Sequence, residues 1–256
     1  MRLKDKVVIV TGASSGLGES MVLRFAREGA HVVAVARRAD RLAQVAVMAS
    51  GSSGSVVPLT GDLCRQADIR NMVAHTVERF GKLDVLVNNA GMNDDFSPVG
   101  EMDDELWRQV FILNLDAAFY ASKHAMPHLL ESRGNIVNIA SIGGTEGARA
   151  GVAYTASKHA LVAMTKHTAF SYAKAGMRCN VICPGPVDTP MVAAAIERGD
   201  TGMNKEGVRR ANSGMKSLPR IGEPAEIANV ACFLASDEAS LVNGAVIVAD
   251  SGWTAY

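Results

Sequence analysis

The sequence predicts an α/β fold in which a doubly wound, seven-stranded and mostly parallel sheet carries helices on both faces. Seven short β-branched runs alternate along the chain with segments whose apolar residues recur about every 3.6 positions. The chain has 256 residues and is 48% hydrophobic, enough to bury a sizeable core without disulfides or metals. Right-handed crossovers between parallel strands then favour a single domain over residues 1–256.

The individual elements follow from this alternation. The predicted strands are residues 6–10, 31–36, 56–60, 85–88, 135–140, 178–183 and 245–248. The predicted helices are residues 16–29, 38–49, 69–80, 104–131, 152–175 and 225–235. The Gly/Ser stretch 50–55 is too short for a domain linker, and we expect it to be a turn between a helix and a strand.

One segment, residues 191–218, interrupts the regular alternation. It carries Gly199, Gly202, Gly207 and Gly214 among helix-forming residues. Long irregular segments in compact domains are usually functional lids or mobile loops. The sequence therefore predicts a substrate-binding lid within the domain.

Composition argues against several classes of partner. Lys plus Arg and Asp plus Glu number 26 each, so the net charge is zero and nothing indicates binding to nucleic acid or to an anionic membrane. The chain has no run of eighteen apolar residues, and its N-terminal apolar run is too short for a signal peptide. We expect a soluble, cytoplasmic protein.

Cysteines and histidines give no indication of a metal site. The four cysteines form no CxxC pair, which suggests a reducing compartment and small buried side chains. His124 and His128 are four residues apart, but Pro127 lies between them and no further ligand has motif spacing, so a solvated helix face is favoured. No metal is predicted.

A glycine turn joins the first predicted strand to the first predicted helix. Gly12 permits the tight turn, Gly16 lets backbone N–H groups approach a pyrophosphate, and Gly18 allows close helix packing. The positive helix N-terminus would face the anion. The alternative is a glycine turn that closes an ordinary strand-helix junction, and the buried strand before it favours the dinucleotide site.

With its G-x-x-x-G-x-G spacing, this turn resembles that of the short-chain dehydrogenase/reductase family, the group of about 250 residues that includes 3-oxoacyl-carrier-protein reductases. The resemblance extends in order along nearly the whole chain. The matching positions are Asn88-Asn89-Ala90-Gly91, Asn114, Ser141, Tyr154-Thr155-Ala156-Ser157-Lys158 and Pro184-Gly185-Pro186-Val187-Asp188-Thr189. The resemblance implies a Rossmann-type sandwich with strand order 3-2-1-4-5-6-7.

Tyr154 and Lys158 also indicate chemistry by themselves. They lie at positions i and i+4 of a predicted helix, so both side chains emerge on one face. A phenol titrates near pH 10, and a neighbouring ammonium should lower the pKa of Tyr154 and make it a usable proton donor. Ser141, at the end of the fifth strand, can hydrogen-bond the carbonyl oxygen where charge develops. An amphipathic helix surface is the alternative reading of the Tyr/Lys pair alone.

The resemblance assigns further roles. Lys158 would hydrogen-bond the nicotinamide ribose, Asn114 would hold a water linked to Lys158, and Asp62 would accept a hydrogen bond from the adenine, with a turn Asp as the alternative. The catalytic set is then Ser141, Tyr154, Lys158 and Asn114. The expected cofactor-binding residues are Gly12, Ser14, Ser15, Gly16, Leu17, Gly18, Arg37, Arg38, Asp62, Leu63, Asn89, Ala90, Gly91, Tyr154, Lys158, Pro184, Gly185, Val187 and Thr189.

The end of the second strand predicts NADP(H) in preference to NAD(H), which stays possible. An NAD site needs a carboxylate here for the ribose 2′-OH, but position 36 is alanine. Arg37 and Arg38 follow, and guanidinium groups bind phosphate well. The alternative is a pair of solvated arginines with Asp40 as a local partner. Ser15 departs from the family pattern, since many NADP-linked members carry a basic residue there.

The predicted function is interconversion of a ketone or aldehyde and its alcohol. The substrate is a small molecule, and its pocket is expected to be lined by Ile142, Gly143, Gly144 and Met191. An NAD-linked sugar, polyol or hydroxysteroid dehydrogenase is one alternative, and a non-catalytic dinucleotide-binding sensor is another. The resemblance also implies a homotetramer. Candidate contact residues are Trp107, Phe111, Phe119 and Phe170, with residues 253–256 at a second interface.

Overall fold

The computed structural model describes residues 1–190 and 202–255, and it contains one sheet of seven strands. The strand order is β3-β2-β1-β4-β5-β6-β7, as predicted. The sheet was predicted to be mostly parallel, and all of its strand pairings are parallel. The strands are β1 (Val7–Thr11), β2 (His31–Ala36), β3 (Ser55–Thr60), β4 (Val85–Asn88), β5 (Asn135–Ile139), β6 (Arg178–Pro184) and β7 (Val246–Ala249).

Helices cover both faces of the sheet. They are α1 (Gly16–Arg27), α2 (Ala39–Met48), α3 (Gln66–Phe80), α4 (Asp104–Phe111), α5 (Ala117–Glu131), α6 (Val152–Tyr172), α7 (Lys205–Ala211) and α8 (Pro224–Ala235). Residues of α1, α2 and α8 pack in one apolar cluster, and residues of α3 and α5 pack in another. Because both faces are covered, β1, β4 and β5 are buried along their whole length.

The predicted helix 104–131 is interrupted. Between α4 and α5 the chain makes a π-helical turn over Ile112–Asp116, which widens the helix by an extra residue around Asn114. A sequence period of 3.6 residues does not reveal such a turn, because the apolar pattern continues on both sides. Turns of this kind are frequent at functional sites.

The predicted lid segment is partly described. Residues 191–201, which include Met191, lie outside the described residues. The rest of the segment contains α7, whose first turn is capped by the Asn204 side chain accepting from the Gly207 N–H at 2.8 Å. Part of the segment predicted to be irregular is therefore helical.

The carboxyl ends of all seven strands meet at one edge of the sheet, because the strands are parallel. The strand order reverses between β1 and β4, and open α/β sheets bind their ligands outside this point. None of the helices in the described part of the chain is long and apolar enough to cross a membrane.

Candidate active site

A cavity of about 880 Å³ lies along the carboxyl edge of the sheet. It extends from the residues after β3 to the residues after β6. Most of the site residues predicted from the sequence line it: Gly12, Ser14, Ser15, Gly16, Leu17, Arg37, Arg38, Asp62, Leu63, Asn89, Ala90, Gly91, Ser141, Ile142, Tyr154, Lys158, Pro184, Gly185, Val187 and Thr189. A single concave site thus brings together residues from seven parts of the chain.

Four other predicted residues lie behind the cavity wall. Gly18 and Asn114 are buried and do not line the cavity. Gly143 and Gly144 were expected in the substrate pocket, but they pack beneath the reactive side chains. A Cβ on Gly143 would lie 3.4 Å from the Tyr154 ring, and one on Gly144 would lie 2.8 Å from the Lys158 carbonyl oxygen. Their small size lets α6 approach the end of β5.

The glycine turn after β1 has the shape that an anion site needs. Gly12 adopts a φ of +67°, which favours glycine, and a Cβ on Gly18 would overlap the Gly12 carbonyl oxygen. Ser15 precedes α1 without capping it through its side chain, and Gly16 and Leu17 line the cavity at the helix N-terminus. The first amide groups of α1 and the helix dipole therefore suit a phosphate.

Thr11 and Asn89 join the ends of β1 and β4. The Thr11 Oγ1 accepts hydrogen bonds from the N–H groups of Asn89 at 2.9 Å and Ala90 at 3.1 Å, and it donates to the Val87 carbonyl oxygen at 3.1 Å. The Asn89 side chain donates to the Thr11 carbonyl oxygen at 2.8 Å. These bonds hold the crevice at the switch point in a fixed shape. Thr11 was not singled out from the sequence.

Two arginines follow β2 at the other side of the glycine turn. Both line the cavity. The Arg38 guanidinium donates to the Ser15 Oγ at 2.8 Å and to the Ser14 Oγ at 3.0 Å. Arg38 thus turns toward the glycine loop, and in the described part of the chain Asp40 forms no ion pair with it. Both arginines are exposed, as the alternative of solvated arginines expects, although Arg38 pairs with the serines rather than with Asp40.

Asp62 occupies a turn after β3. Its Oδ1 accepts the Cys64 N–H at 3.0 Å, as the turn interpretation expects, and the residue also lines the cavity. Among the described residues that line the cavity, Asp62 is the only one with a carboxylate. The charged side chains of the lining are therefore mostly cationic, and they include Arg37, Arg38 and Lys158.

Ser141, Tyr154 and Lys158 meet where β5 ends and α6 begins. The Ser141 Oγ accepts the Gly143 N–H at 3.0 Å. The Lys158 Nζ donates to the Ile139 carbonyl oxygen at 2.9 Å and lies 5.5 Å from the centre of the Tyr154 ring. Lys158 is 3% exposed. Two partly exposed hydroxyls and one buried ammonium thus converge in one corner of the cavity.

The electrostatic balance at Tyr154 differs from the sequence expectation. Burial raises the pKa of the Tyr154 hydroxyl to about 12, although a hydrogen bond with Ser141 acts in the opposite direction. Burial also lowers the pKa of Lys158 to about 8. The expected lowering of the Tyr154 pKa is therefore not seen, because the loss of hydration around the phenol dominates.

Asn114 projects from the π-helical turn toward the same corner. Its Oδ1 accepts the Met92 N–H at 2.8 Å, and its Nδ2 donates to the Met92 carbonyl oxygen at 3.0 Å and to the Ser157 Oγ at 3.2 Å. Gly91 separates it from Lys158, since a Cβ there would lie 3.1 Å from the Asn114 Oδ1 and 3.4 Å from the Lys158 Nζ. The missing side chain keeps the space between the two groups open.

Residues of the predicted lid segment and of two other distant segments complete the other wall. Phe96, Met203, Val208 and Met215 are apolar and face the cavity. Trp253 was expected to cover an interface between subunits, but it is 5% exposed and lines the cavity. The Arg149 guanidinium lies 4.2 Å from the centre of its indole ring, a favourable cation–π contact. No local sequence pattern places these distant segments together.

Comparison with known proteins identifies related chains. The family model described as "Enoyl-(Acyl carrier protein) reductase" matches residues 12–254. 3beta-Hydroxysteroid dehydrogenase 2 of Eggerthella lenta is 37% identical over 256 residues, covering 99% of this chain and 96% of that protein. The crystal structure of levodione reductase has a TM-score of 0.91 at 33% identity and covers 100% of both chains. A short-chain type dehydrogenase/reductase from Mycobacterium ulcerans has a TM-score of 0.88 at 30% identity, covering 99% of this chain and 91% of that one.

Proposed function

Because this chain belongs to the short-chain dehydrogenase/reductase family, whose members are NAD(P)-linked oxidoreductases acting on alcohols and ketones, we propose that it is an NADP(H)-dependent carbonyl reductase with Tyr154 as general acid and base. The observation that carries the proposal is one cavity with two different ends. The Ser141, Tyr154 and Lys158 corner lies beyond β5, while Arg37 and Arg38 follow β2. Three strand spacings separate β2 from β5, about 14 Å.

The residues of the cavity fit a dinucleotide. The glycine turn and the uncapped N-terminus of α1 would hold the pyrophosphate, and Asp62 would face the adenine. Arg37 and Arg38 would bind the 2′-phosphate of NADP(H), and position 36 is alanine where an NAD site needs a carboxylate. Bound NADP(H) supplies a hydride to a carbonyl carbon or accepts one from an alcohol.

The chain's own residues would handle the proton. In reduction, the Tyr154 Oη donates its proton to the carbonyl oxygen, and in oxidation the phenolate takes the alcohol proton. The Ser141 Oγ donates a hydrogen bond to the same oxygen, where negative charge develops. The Lys158 ammonium stabilises the phenolate electrostatically, and Asn114 is expected to order a water near it.

The cavity also supports a substrate class. Its wall around the reactive corner contains Phe96, Ile142, Val208 and Met215, and this apolar surface suits a medium to bulky carbonyl compound better than a sugar. The similarity to a 3beta-hydroxysteroid dehydrogenase makes a steroid one candidate within that class, beside an acyl thioester, since a 3-oxoacyl-carrier-protein reductase is equally 37% identical. A hydroxysteroid dehydrogenase is therefore the second candidate function.

The test is a steady-state comparison of cofactors and substrates. NADPH and NADH oxidation would be measured with a steroid ketone, an acyl thioester and a xenobiotic ketone. We expect turnover of at least one, with a higher kcat/KM for NADPH. Equal or better use of NADH would contradict the NADP(H) preference. No turnover of any ketone, together with tight NADPH binding, would favour the non-catalytic dinucleotide sensor.

We also propose that residues 191–218 form a lid over the substrate. The described part of this segment places Met203, Val208 and Met215 against the cavity, and its Arg209, Arg210 and Lys216 are exposed to trypsin. Substrate and cofactor should order the lid and slow cleavage at these sites. Equal cleavage rates with and without NADPH plus ketone would contradict a gating role.

The predicted homotetramer is likewise a proposal. Phe119 on α5 and Phe170 on α6 are 45% and 88% exposed, and Ile112 at the start of the π-helical turn is 38% exposed. Trp107 and Phe111 instead pack on each other, with ring centres 4.6 Å apart. Light scattering at micromolar concentration tests the proposal, and a particle of 27.0 kDa would contradict it.

A further inference from the structure

Asp94 is a buried carboxylate to which the proposed function gives no role. It lies in the loop after β4, three residues beyond Gly91, and is 5% exposed. A buried carboxylate needs several hydrogen bonds to offset the loss of its hydration. The hydrogen-bond donors that surround Asp94 therefore show which part of the structure the carboxylate stabilises.

Within the described part of the chain, the Asp94 side chain accepts hydrogen bonds from backbone N–H groups only, and two of these lie at the start of α6. The Oδ2 accepts the N–H of Tyr154 at 2.8 Å. The Oδ1 accepts the N–H groups of Gly151 and of Phe96, each at 3.1 Å. Gly151 precedes α6 and cannot cap the helix with a side chain of its own. Asp94 thus caps this helix from a distant loop, and it does so at the backbone of the reactive tyrosine.

Gly151 is shaped to this contact. A Cβ at this position would lie 2.5 Å from both carboxylate oxygens of Asp94. A side chain at position 151 would therefore push the carboxylate away from the helix. The close approach needs both the carboxylate at 94 and the glycine at 151.

The loop that carries Asp94 is held on its other side as well. The Val152 N–H donates to the Ser97 carbonyl oxygen at 3.0 Å, and the Asn204 N–H donates to the Asp95 carbonyl oxygen at 2.8 Å. Phe96 adopts a φ of +65°, which is uncommon for a residue with a side chain. The position of Asp94 is thus fixed by contacts to α6 and to the residue before α7.

We propose that Asp94 is a positioning residue that fixes the first turn of α6 and thereby the place of the Tyr154 hydroxyl in the cavity. This inference rests on the proposed role of Tyr154. Displacement of a reacting group by about 1 Å can lower a rate about 100-fold. A helix start without its cap would be free to move by such an amount.

The charge of Asp94 gives the proposal an independent readout. The pKa of Tyr154 is raised first by burial and also by the negative charge of Asp94, while the hydrogen bond with Ser141 lowers it and nearby Cys183 adds to the increase. The Lys158 ammonium also faces the tyrosine ring, and Arg149 and Lys205 line the same cavity. Removing the charge at position 94 should therefore make the Tyr154 phenolate form at lower pH.

The experiment compares Asp94→Ala and Asp94→Asn with a matched control. Asp103 is the exposed N-cap of α4, and its side chain accepts the Leu106 N–H at 2.8 Å, so Asp103→Ala removes a cap of the same kind away from the cavity. Each variant would be assayed for kcat in ketone reduction, for NADPH affinity by fluorescence, for thermal unfolding, and for the pH dependence of alcohol oxidation.

We expect Asp94→Ala to lose about 10- to 100-fold in kcat with unchanged NADPH affinity, and Asp103→Ala to keep its kcat. Asp94→Asn keeps one acceptor oxygen, so its kcat should fall less. The midpoint of its pH profile for alcohol oxidation should move to lower pH, because the negative charge is gone. If Asp94→Ala does not fold, the midpoint of the pH profile of Asp94→Asn tests the role of Asp94.

The inference and the proposed function can fail separately. A wild-type chain that reduces no ketone would remove the function itself. An active wild type whose Asp94→Ala variant keeps its kcat would overturn the role of Asp94 alone. An unchanged midpoint in Asp94→Asn would do the same, because a purely structural cap would not move the titration of Tyr154.

Discussion

The two ends of the cavity are built on different principles. At the dinucleotide end, the glycine turn supplies main-chain groups, and the side chains of Arg37 and Arg38 are exposed. At the reactive end, Lys158 is 3% exposed and Asp94 is 5% exposed, and Asp94 accepts the N–H of Tyr154 from 60 positions away. The dinucleotide end is thus wet and lies mostly within the β1-α1-β2 unit, and the reactive end is drier and joins more distant segments.

This difference determines what a substitution should change. The arginines are exposed and lie away from the reactive corner, so a change there should alter cofactor affinity and leave the chemical step unchanged. Buried groups interact strongly and have few alternative partners, so a change at the reactive end should alter the rate of the chemical step. The three predictions below test this contrast, from the largest expected effect to the smallest.

Removal of the Tyr154 hydroxyl should have the largest effect. We expect Tyr154→Phe to lower kcat about 100- to 10,000-fold, because the transferable proton is lost while the ring stays in place. NADPH binding, measured by fluorescence titration, should change little. Tyr172→Phe, at the other end of the same helix and outside the cavity, is the matched control and should keep its kcat.

A variant Tyr154→Phe that retained more than about a tenth of the wild-type kcat would remove Tyr154 from the role of general acid. Equal losses of kcat and of NADPH affinity would also count against the contrast between the two ends. Such a result would mean that the reactive end mainly holds the cofactor.

The sequence predicted the fold around the dinucleotide end well. The strands, most of the helices and the glycine turn follow from patterns within single elements, the strand order follows from the family resemblance, and the fold is confirmed. Periodicity and turn chemistry suffice there because each residue acts through its own segment. Arg38 contacts Ser14 and Ser15 because β1 and β2 are adjacent strands, so the residues that follow them lie side by side.

The reactive end was predicted less completely, because its geometry depends on contacts between distant segments. The π-helical turn around Asn114 has no periodic signal, and the approach of Asp94 to the N–H of Tyr154 joins residues 60 positions apart. Trp253 lies against Arg149 although a hundred residues separate them, so its place in the cavity wall could not be predicted. Long-range packing, rather than local propensity, decides these positions.

The arginines should show the second largest effect, confined to cofactor use. We expect Arg37→Ala and Arg38→Ala each to reduce kcat/KM for NADPH by about 10- to 100-fold, the equivalent of a charged hydrogen bond of about 1.5–3 kcal/mol, and to leave NADH use nearly unchanged. Arg38→Ala should also release the Ser14 and Ser15 hydroxyls. The measurement is kcat/KM for each cofactor, determined with the same ketone at the same concentration.

Arg41→Ala is the control for this comparison, because Arg41 lies on α2 and bonds Gln44 at 3.1 Å without lining the main cavity. It should behave as the wild type with both cofactors. A fall in kcat with NADH in either arginine variant would mean that the wet end also shapes the chemical step. The sharp contrast between the two ends would then be wrong.

The smallest effect should come from pH acting on Lys158. Burial lowers the pKa of this ammonium to about 8, so the group is mostly charged at pH 7 and mostly neutral at pH 9. Its positive charge stabilises the developing phenolate of Tyr154, and loss of that charge disfavours proton donation. We therefore expect kcat/KM for reduction to fall by up to about tenfold between pH 7 and pH 9. Lys158→Arg stays charged over this range, so its kcat/KM, whatever its absolute value, should lack the step near pH 8. A flat wild-type profile would contradict the titration, and a step of the same size in Lys158→Arg would assign it to another group.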